Sequence, residues 1–404
     1  MSLGESMESR IFKERSSVNE ARDSFLAAIR PLERTENIML NEGVGRVLAT
    51  GVIAPRNVPH YRRSAMDGYA VRSADIMGAS PTNPVILQIS GDIEEGTCCP
   101  VSTGAYVPDD ADAVLMTEDT VCIGDMIEVR AQVHPGKNIG DIGEDVRKNE
   151  IVFNKGHLLR PCDVAVLASL GITEVKVYSR AVVAIIPTGN NLISLEESKE
   201  VPPTGKTLDI NSLMIGLYVK QWGAQPRYCS IVPEDSELIG KAISDNMDAD
   251  FIVISGGTSV GEKDYVPDVL ASMGEKLVHG VGLSPGKPTA LGVIKEIPVL
   301  CMPGYPAAGL VALFAFGKPA IRKKGSIPQI PDITVKARLT GKINSREGYV
   351  SYARVILEGN TARPLMTAGA GILSSIAKSN GFVIIPENVE GYEEGNEVDV
   401  VLIE

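Results

Sequence analysis

The stretch Phe251-Ile252-Val253-Ile254-Ser255-Gly256-Gly257-Thr258-Ser259-Val260-Gly261 decides the fold. A short, continuous apolar run breaks directly into a glycine-rich turn. That reads as a buried strand delivering its carboxyl end to a loop. Outward from it the pattern repeats. Residues 181–186 and 298–301 are further buried-strand runs, and 212–222, 236–247 and 306–316 carry helical patterns, with Asp209 or Asn211 as a cap for the first of them. A strand is expected at 228–232. Strands alternating with helices at this spacing predict a mostly parallel sheet with helices on both faces. Ligands of such sheets bind beyond the strands' carboxyl ends, so the loops after Ile186, Ile254 and Cys301 are the ones to watch.

The flanks read differently. Ser17-Val18-Asn19-Glu20 fits a capping box, followed by apolar residues at helical spacing and by Pro31, which ends or kinks the helix. From about 52 to 133, short apolar runs (85–89, 113–116, 127–129) sit between Gly, Pro, Asp and Asn clusters, as β structure does. A helical pattern returns at 161–170, with a short strand at 175–177. Strands dominate again after Pro331, at 333–338, 350–357, 381–386 and 398–402. The β-rich piece is thus inserted between two helical ones.

Composition narrows the function. The chain has 404 residues, room for two to four domains, and a net charge of −12. That acidity argues against a general nucleic-acid binder, without excluding a local basic pocket. The six cysteines form no CxxC pair and the four histidines are scattered, so a zinc site is not expected. Reduced thiols and the absence of an apolar leader predict a cytoplasmic protein. Residues 297–317 carry no charge, but Pro298, Pro303 and Pro306 interrupt them, so a strand, a loop and a buried helix are expected there and no membrane span.

Three motifs carry chemistry. In the first, the amides of Ser255, Gly256, Gly257, Thr258 and Ser259 can cradle phosphate, although a plain strand–helix loop has the same look; it is not a GxGxxG fingerprint. The second is Pro285-Gly286-Lys287-Pro288, where Pro288 and the missing upstream glycine exclude a Walker A loop. Lys287 there is either a point charge for a phosphate or a solvated turn lysine. The third, Pro303-Gly304-Tyr305-Pro306-Ala307-Ala308, opens a helix with small residues and accessible amides. Loop carboxylates at Asp67, Asp145, Asp235 and Asp264 are candidate Mg²⁺ or catalytic groups, and singly each also suits a turn. Thr103 offers a hydroxyl, and Arg62 and Arg63 could take an anion.

In order along the chain, SAMDGYA at 64–70, STGAYVPDDADAV at 102–114, GEDV at 143–146, PTGNNL at 187–192, SGGTSVGEKDY at 255–265, PGKP at 285–288, MPGYPAA at 302–308 and SREGYVSYARV at 345–355 resemble the molybdopterin molybdenumtransferase (MoeA) family, which is similar to the gephyrin E domain. The resemblance covers nearly the whole chain. It implies a helical linker domain (1–55 and 140–178), an inserted β domain (56–139), an α/β molybdopterin-binding domain (179–325) with a three-layer, mostly parallel sheet, and a C-terminal β-barrel-like domain (326–404). It implies an elongated homodimer whose active site is shared between subunits, and the molybdopterin adenylyltransferase as a partner. The implied reaction places molybdate or tungstate on adenylylated molybdopterin, with Mg²⁺-dependent release of AMP.

On the matching positions, the resemblance implies that Asp67, Thr103, Asp145, Asp235, Asp264 and Lys287 are catalytic. Thr188, Gly189, Ser255, Gly256, Gly257, Thr258, Ser259, Gly286, Pro303 and Pro306 would bind the pterin substrate, and Asp235 and Asp264 the metal. Three positions depart from the family. Its TGDEL is Thr188-Gly189-Asn190-Asn191-Leu192, the first lysine of its KPGKP is Ser284, and its PGNP contains Tyr305, bulky enough to narrow a pocket. These departures leave two alternatives: a pterin-binding or scaffold paralogue impaired in turnover, and a hydrolase of another nucleotide-linked substrate.

Overall fold

The computed structural model describes residues 15–197, 201–258, 265–366 and 369–403. It divides into two compact units. One comprises Met1–Glu36, Gly45–Val47 and Val177–Glu404; the other comprises Asn37–Val44 and Leu48–Lys176.

The first unit is built on a six-stranded sheet in the order Gln225–Tyr228, Val182–Pro187, Phe251–Ser255, Ile297–Met302, Ala290–Ile294, Glu275–His279. The first four strands are parallel, and Ala290–Ile294 runs antiparallel to both its neighbours, Ile297–Met302 and Glu275–His279. The change of direction has a local cause. Lys295 and Glu296 join Ala290–Ile294 to Ile297–Met302 as a two-residue turn with φ of +47° and +72°. Positive φ at both central residues is the type I′ geometry that suits a hairpin. Lys-Glu does not announce such a turn as Asn-Gly would. The strand expected at 228–232 lies earlier, at Gln225–Tyr228, paired from Val182↔Gln225 onward. Val232 instead makes a single bridge to Thr188.

Side chains alternate across this sheet into two cores. Val183, Ile185, Phe251, Val253, Leu300 and Met302 face one side; Ala184, Ile186, Ile252, Ile254, Val299 and Cys301 face the other. Helix Val18–Ala27 starts at the expected capping box, made by both the Ser17 and Glu20 side chains. It ends before Pro31, and its stripe of Val18, Ala21 and Phe25 is buried in the first core, with the Phe25 and Phe251 rings edge to face at 6.1 Å. This helix therefore spends its apolar face on the α/β sheet.

In the same unit, Val350–Glu358, Thr361–Met366, Thr334–Leu339, Glu397–Leu402 and Gly381–Ile385 pair in that order, and the last returns to the first. The result is a closed, barrel-like sheet around its own core of Ala337, Val355, Val383, Ile385 and Val400. Leu283–Ser284 pairs in parallel with Val350 and Ser351 of this sheet. That pairing brings the Pro285–Lys287 loop to the barrel.

The second unit holds a six-stranded sheet in the order Ala113–Met116, Gly68–Val71, Thr97–Val101, Val85–Ile89, Met126–Val129, Thr120–Ile123, antiparallel except for one parallel pair. Leu87, Leu115, Ile127 and Val129 fill its core. Helix Pro161–Ser169 follows, opening with a proline at its first turn. No described helix is long and apolar enough to cross a membrane, and 297–317 forms the expected strand, loop and buried helix.

Candidate functional site

Three strand ends converge in the first unit. The Thr188 amide donates to the Ser255 carbonyl at 2.8 Å, and the Gly256 amide to the Met302 carbonyl at 3.1 Å. Gly256 has φ +102°, and a Cβ there would stand 2.3 Å from the Thr188 carbonyl oxygen. Only glycine satisfies both demands. The Pro303–Pro306 loop lies equally close, since a Cβ on Gly304 would come within 3.3 Å of Gly256 Cα.

Asn211 ties these loops together. It sits in the first turn of Ile210–Gln221, whose N-cap is Asp209 and not Asn211. Its Nδ2 donates to Ser255 Oγ at 3.0 Å and to the Gly304 carbonyl at 2.8 Å. The side chain is buried, and Oδ1 finds no hydrogen-bond partner among the described residues.

Around this junction lies a cavity of about 1020 Å³. Thr188, Ser255, Gly256, Gly257, Thr258, Gly286, Lys287, Pro303 and Pro306 all line it, so most of the expected binding residues meet around one cavity. Lys287 and Arg346 are the cations among the described lining residues, and Asp209 and Glu234 the carboxylates. Arg346 reaches the cavity from the stretch before Val350–Glu358. Beside it Tyr349 is buried, with the Arg15 and Arg346 guanidiniums at 4.2 and 5.4 Å from its ring centre.

Other expected residues stand elsewhere. Gly189 is off the cavity wall, its amide donating to the Val232 carbonyl. Asp235 caps helix Ser236–Ser244, its Oδ1 accepting from the Glu237 and Leu238 amides at 2.9 and 3.0 Å. Its neighbour Glu234 lines the cavity instead. Ser259 and Asp264 lie outside the described residues. Among those described, no group of three His, Cys, Asp or Glu side chains could hold a metal. Asp67 and Thr103 belong to the second unit and meet there: the Thr103 amide and hydroxyl both donate to Asp67 Oδ1, at 2.7 and 3.1 Å. Asp145 is exposed in a separate loop of that unit, its amide donating to the Val58 carbonyl.

One expectation about the third motif needs correction. The amides opening helix Pro306–Ala312 are not available to a ligand. Those of Ala307 and Ala308 donate to the Ala370 carbonyl, at 2.9 and 3.2 Å. Tyr305, the bulky residue of this motif, lines the cavity at its open edge and is 68% exposed. The thiol of Cys301, beneath this loop, is pushed up to about 12 by complete burial and offers no thiolate.

The asparagines that replace the family's acids act as loop braces. Asn190 Oδ1 accepts from the Glu234 amide at 3.1 Å, and its carbonyl from Lys206 Nζ at 2.8 Å. Asn191 Nδ2 donates to Thr207 Oγ1 at 3.0 Å. The sequence does not mark Asn211, Glu234, Arg346 or Ala370 as site residues; Asn211 reads there only as a candidate helix cap. Arg346 lies inside a recognised motif, but only the pairing of Leu283 with Val350 shows that it joins Lys287.

The chain matches the profiles of the MoeA N-terminal region (domains I and II) over residues 16–171, a "Probable molybdopterin binding domain" over 184–323, and the MoeA C-terminal region (domain IV) over 336–403. A Methanocaldococcus jannaschii protein named for molybdopterin biosynthesis is 38% identical over 92% of this chain and 93% of its own length. Molybdopterin molybdenumtransferase 2 of Mycobacterium tuberculosis is 33% identical over 93% of this chain and 96% of its own. The crystal structure of the molybdopterin biosynthesis moeA protein from Pyrococcus horikoshii superimposes with a TM-score of 0.83 at 33% identity, covering 96% of this chain and all of that one. Sequence profiles, full-length relatives and fold agree: the chain belongs to the MoeA family of molybdopterin molybdenumtransferases.

Proposed function

We propose that the protein acts in molybdenum cofactor biosynthesis as a molybdopterin molybdenumtransferase, joining molybdate or tungstate to adenylylated molybdopterin and releasing AMP. The observation that carries this reading is the cavity, which a glycine loop that tolerates no Cβ lines together with Lys287 and Arg346. Such a wall suits a polyanion: backbone donors approach the phosphates, and two cations offset their charge within an acidic protein. In the hydrolytic step water adds to one phosphorus of the pyrophosphate, AMP leaves with the bridging oxygen, and the pterin keeps its phosphate. Lys287 and Arg346 bind and orient these phosphates, while Asn211 holds the two loops in register.

Mg²⁺ belongs to this reading. Glu234 and Asp209 are the cavity carboxylates that would hold it, and the sequence motifs add Asp235 and Asp264 as candidate ligands. A cation that keeps several waters and shares substrate phosphates fits so lean a set, and it would neutralise charge on the phosphate oxygens. We further propose the domain boundaries given above and a homodimer in which Asp67, Thr103 and Asp145 act on the partner's substrate. The protein would work in the cytoplasm and receive substrate from the adenylyltransferase; its six free cysteines are consistent with that compartment.

Asn190 and Asn191 favour one second reading, a pterin-binding scaffold without turnover. Reconstitution separates the two. The protein is mixed with adenylylated molybdopterin, molybdate and Mg²⁺, and the product is offered to an apo-molybdoenzyme. Recovered molybdoenzyme activity supports the transferase. Tight substrate binding with no recovery supports the scaffold.

A further inference from the structure

Tyr305 is held in place without being used by the fold. It lies between Pro303-Gly304 and Pro306, in an extended conformation (φ −68°, ψ 124°) of the kind a following proline favours. Its carbonyl accepts from the Gly309 amide at 2.8 Å, so its backbone is anchored in the helix start. The neighbouring 370–371 stretch is fixed by the two amides that donate to the Ala370 carbonyl. Gly371 stands beside the ring; a Cβ there would meet Tyr305 Cδ1 at 3.4 Å, an ordinary van der Waals contact. Yet the residue is 68% exposed and lines the cavity. No ring pairing or cation contact among the described residues involves it. Tyr349, the other cavity tyrosine, differs: it is buried and flanked by two guanidiniums.

An exposed ring on a rigid backbone loses little freedom when a planar partner covers it, and stacking of a base on an aromatic side chain is tolerant of which base it is. Lys287 and Arg346 take the phosphates in this arrangement, and the rim is left for the planar end of the same molecule. Resting on the proposed transferase reading, we propose that Tyr305 is a specificity-determining residue that stacks a bicyclic heteroaromatic ring of the substrate at the cavity rim. The family's asparagine at this position offers hydrogen-bonding groups and no aromatic ring.

The test uses the full-length protein and calorimetric titration. Adenylylated molybdopterin is the primary ligand, and AMP and free molybdopterin are arms that tell the purine from the pterin. Tyr305→Phe is expected to bind within about threefold of the parent. Tyr305→Leu, of similar bulk but without a ring, is expected to bind about tenfold or more weakly, a loss in the range seen when stacked aromatics are removed. That loss should recur with only the fragment whose ring is stacked. Melting temperatures of both variants should match the parent, as exposure predicts. If Tyr305→Leu binds all three ligands as the parent does, the stacking role is overturned while the transferase reading stands. If the folded parent binds none of them, the transferase reading fails and takes this proposal with it.

Discussion

In the proposed function, Lys287 is the residue whose charge meets a polyanion. Its loop is fixed by the pairing of Leu283 and Ser284 with the barrel, so the ammonium is presented from a rigid base. Lys287→Ala should raise the KM for adenylylated molybdopterin about tenfold or more, and Lys287→Arg should recover part of it, as steady-state AMP release would read. Asn211 works by hydrogen bonding. Its loss in Asn211→Ala leaves a buried serine hydroxyl and the Gly304 carbonyl without their donor. Removing such a partner costs about 1–3 kcal/mol, which denaturant unfolding should register together with a lower kcat. The sequence made Lys287 and the glycine loop legible because each sits in a local motif with its own chemistry. Asn211 and Arg346 were not legible that way, since their value comes from contacts 44 or more positions away in sequence.

At the scale of elements, helix Pro161–Ser169 of the second unit shows a side-chain cap with a pH consequence. Asp163 is buried; Arg160 Nη2 reaches its Oδ1 at 2.9 Å, while the Arg160 amide and His157 Nε2 both reach Oδ2 at 2.8 Å. The Arg160 side chain, ahead of its amide and His157, holds the carboxyl well below its usual range, against the opposing effect of burial. A depressed folded value means the stabilisation is complete above the unfolded value near 3.8 and is lost as pH falls below it. Chemical denaturation from pH 6 to pH 3 should therefore show a falling stability that Asp163→Asn flattens. Capping is a local affair, which is why the Ser17 box was readable in advance. The Lys295-Glu296 hairpin was not, because its turn residues lack the usual signature and the geometry is imposed by the pairing of the strands they join. The helix opened by Pro306 looked ready for an anion, but its amides are satisfied by a carbonyl from 370, which no local pattern could reveal.

For the whole molecule, strand–helix alternation and turn clusters were enough to place an α/β domain between β-rich pieces. What they could not give is closure: the barrel returns on itself through the pairing of Val350–Glu358 with Gly381–Ile385, a long-range contact. The distribution of thiols is a check on this arrangement. Cys98 and Cys301 are buried and pushed up to about 12, chiefly by burial, whereas Cys122 and Cys162 are exposed. A thiol reagent should label Cys122 and Cys162 rapidly in the native protein and reach Cys98 and Cys301 only on unfolding, as peptide mapping would show.

The central claim is that the cavity formed by the glycine loop, Lys287 and Arg346 performs an oxyanion-dependent release of AMP. The direct measurement follows AMP on adding molybdate or tungstate to the protein with adenylylated molybdopterin and Mg²⁺. The account predicts AMP release that depends on the oxyanion and is strongly reduced in Lys287→Ala. Substrate bound tightly with no AMP released, with either oxyanion, would contradict it.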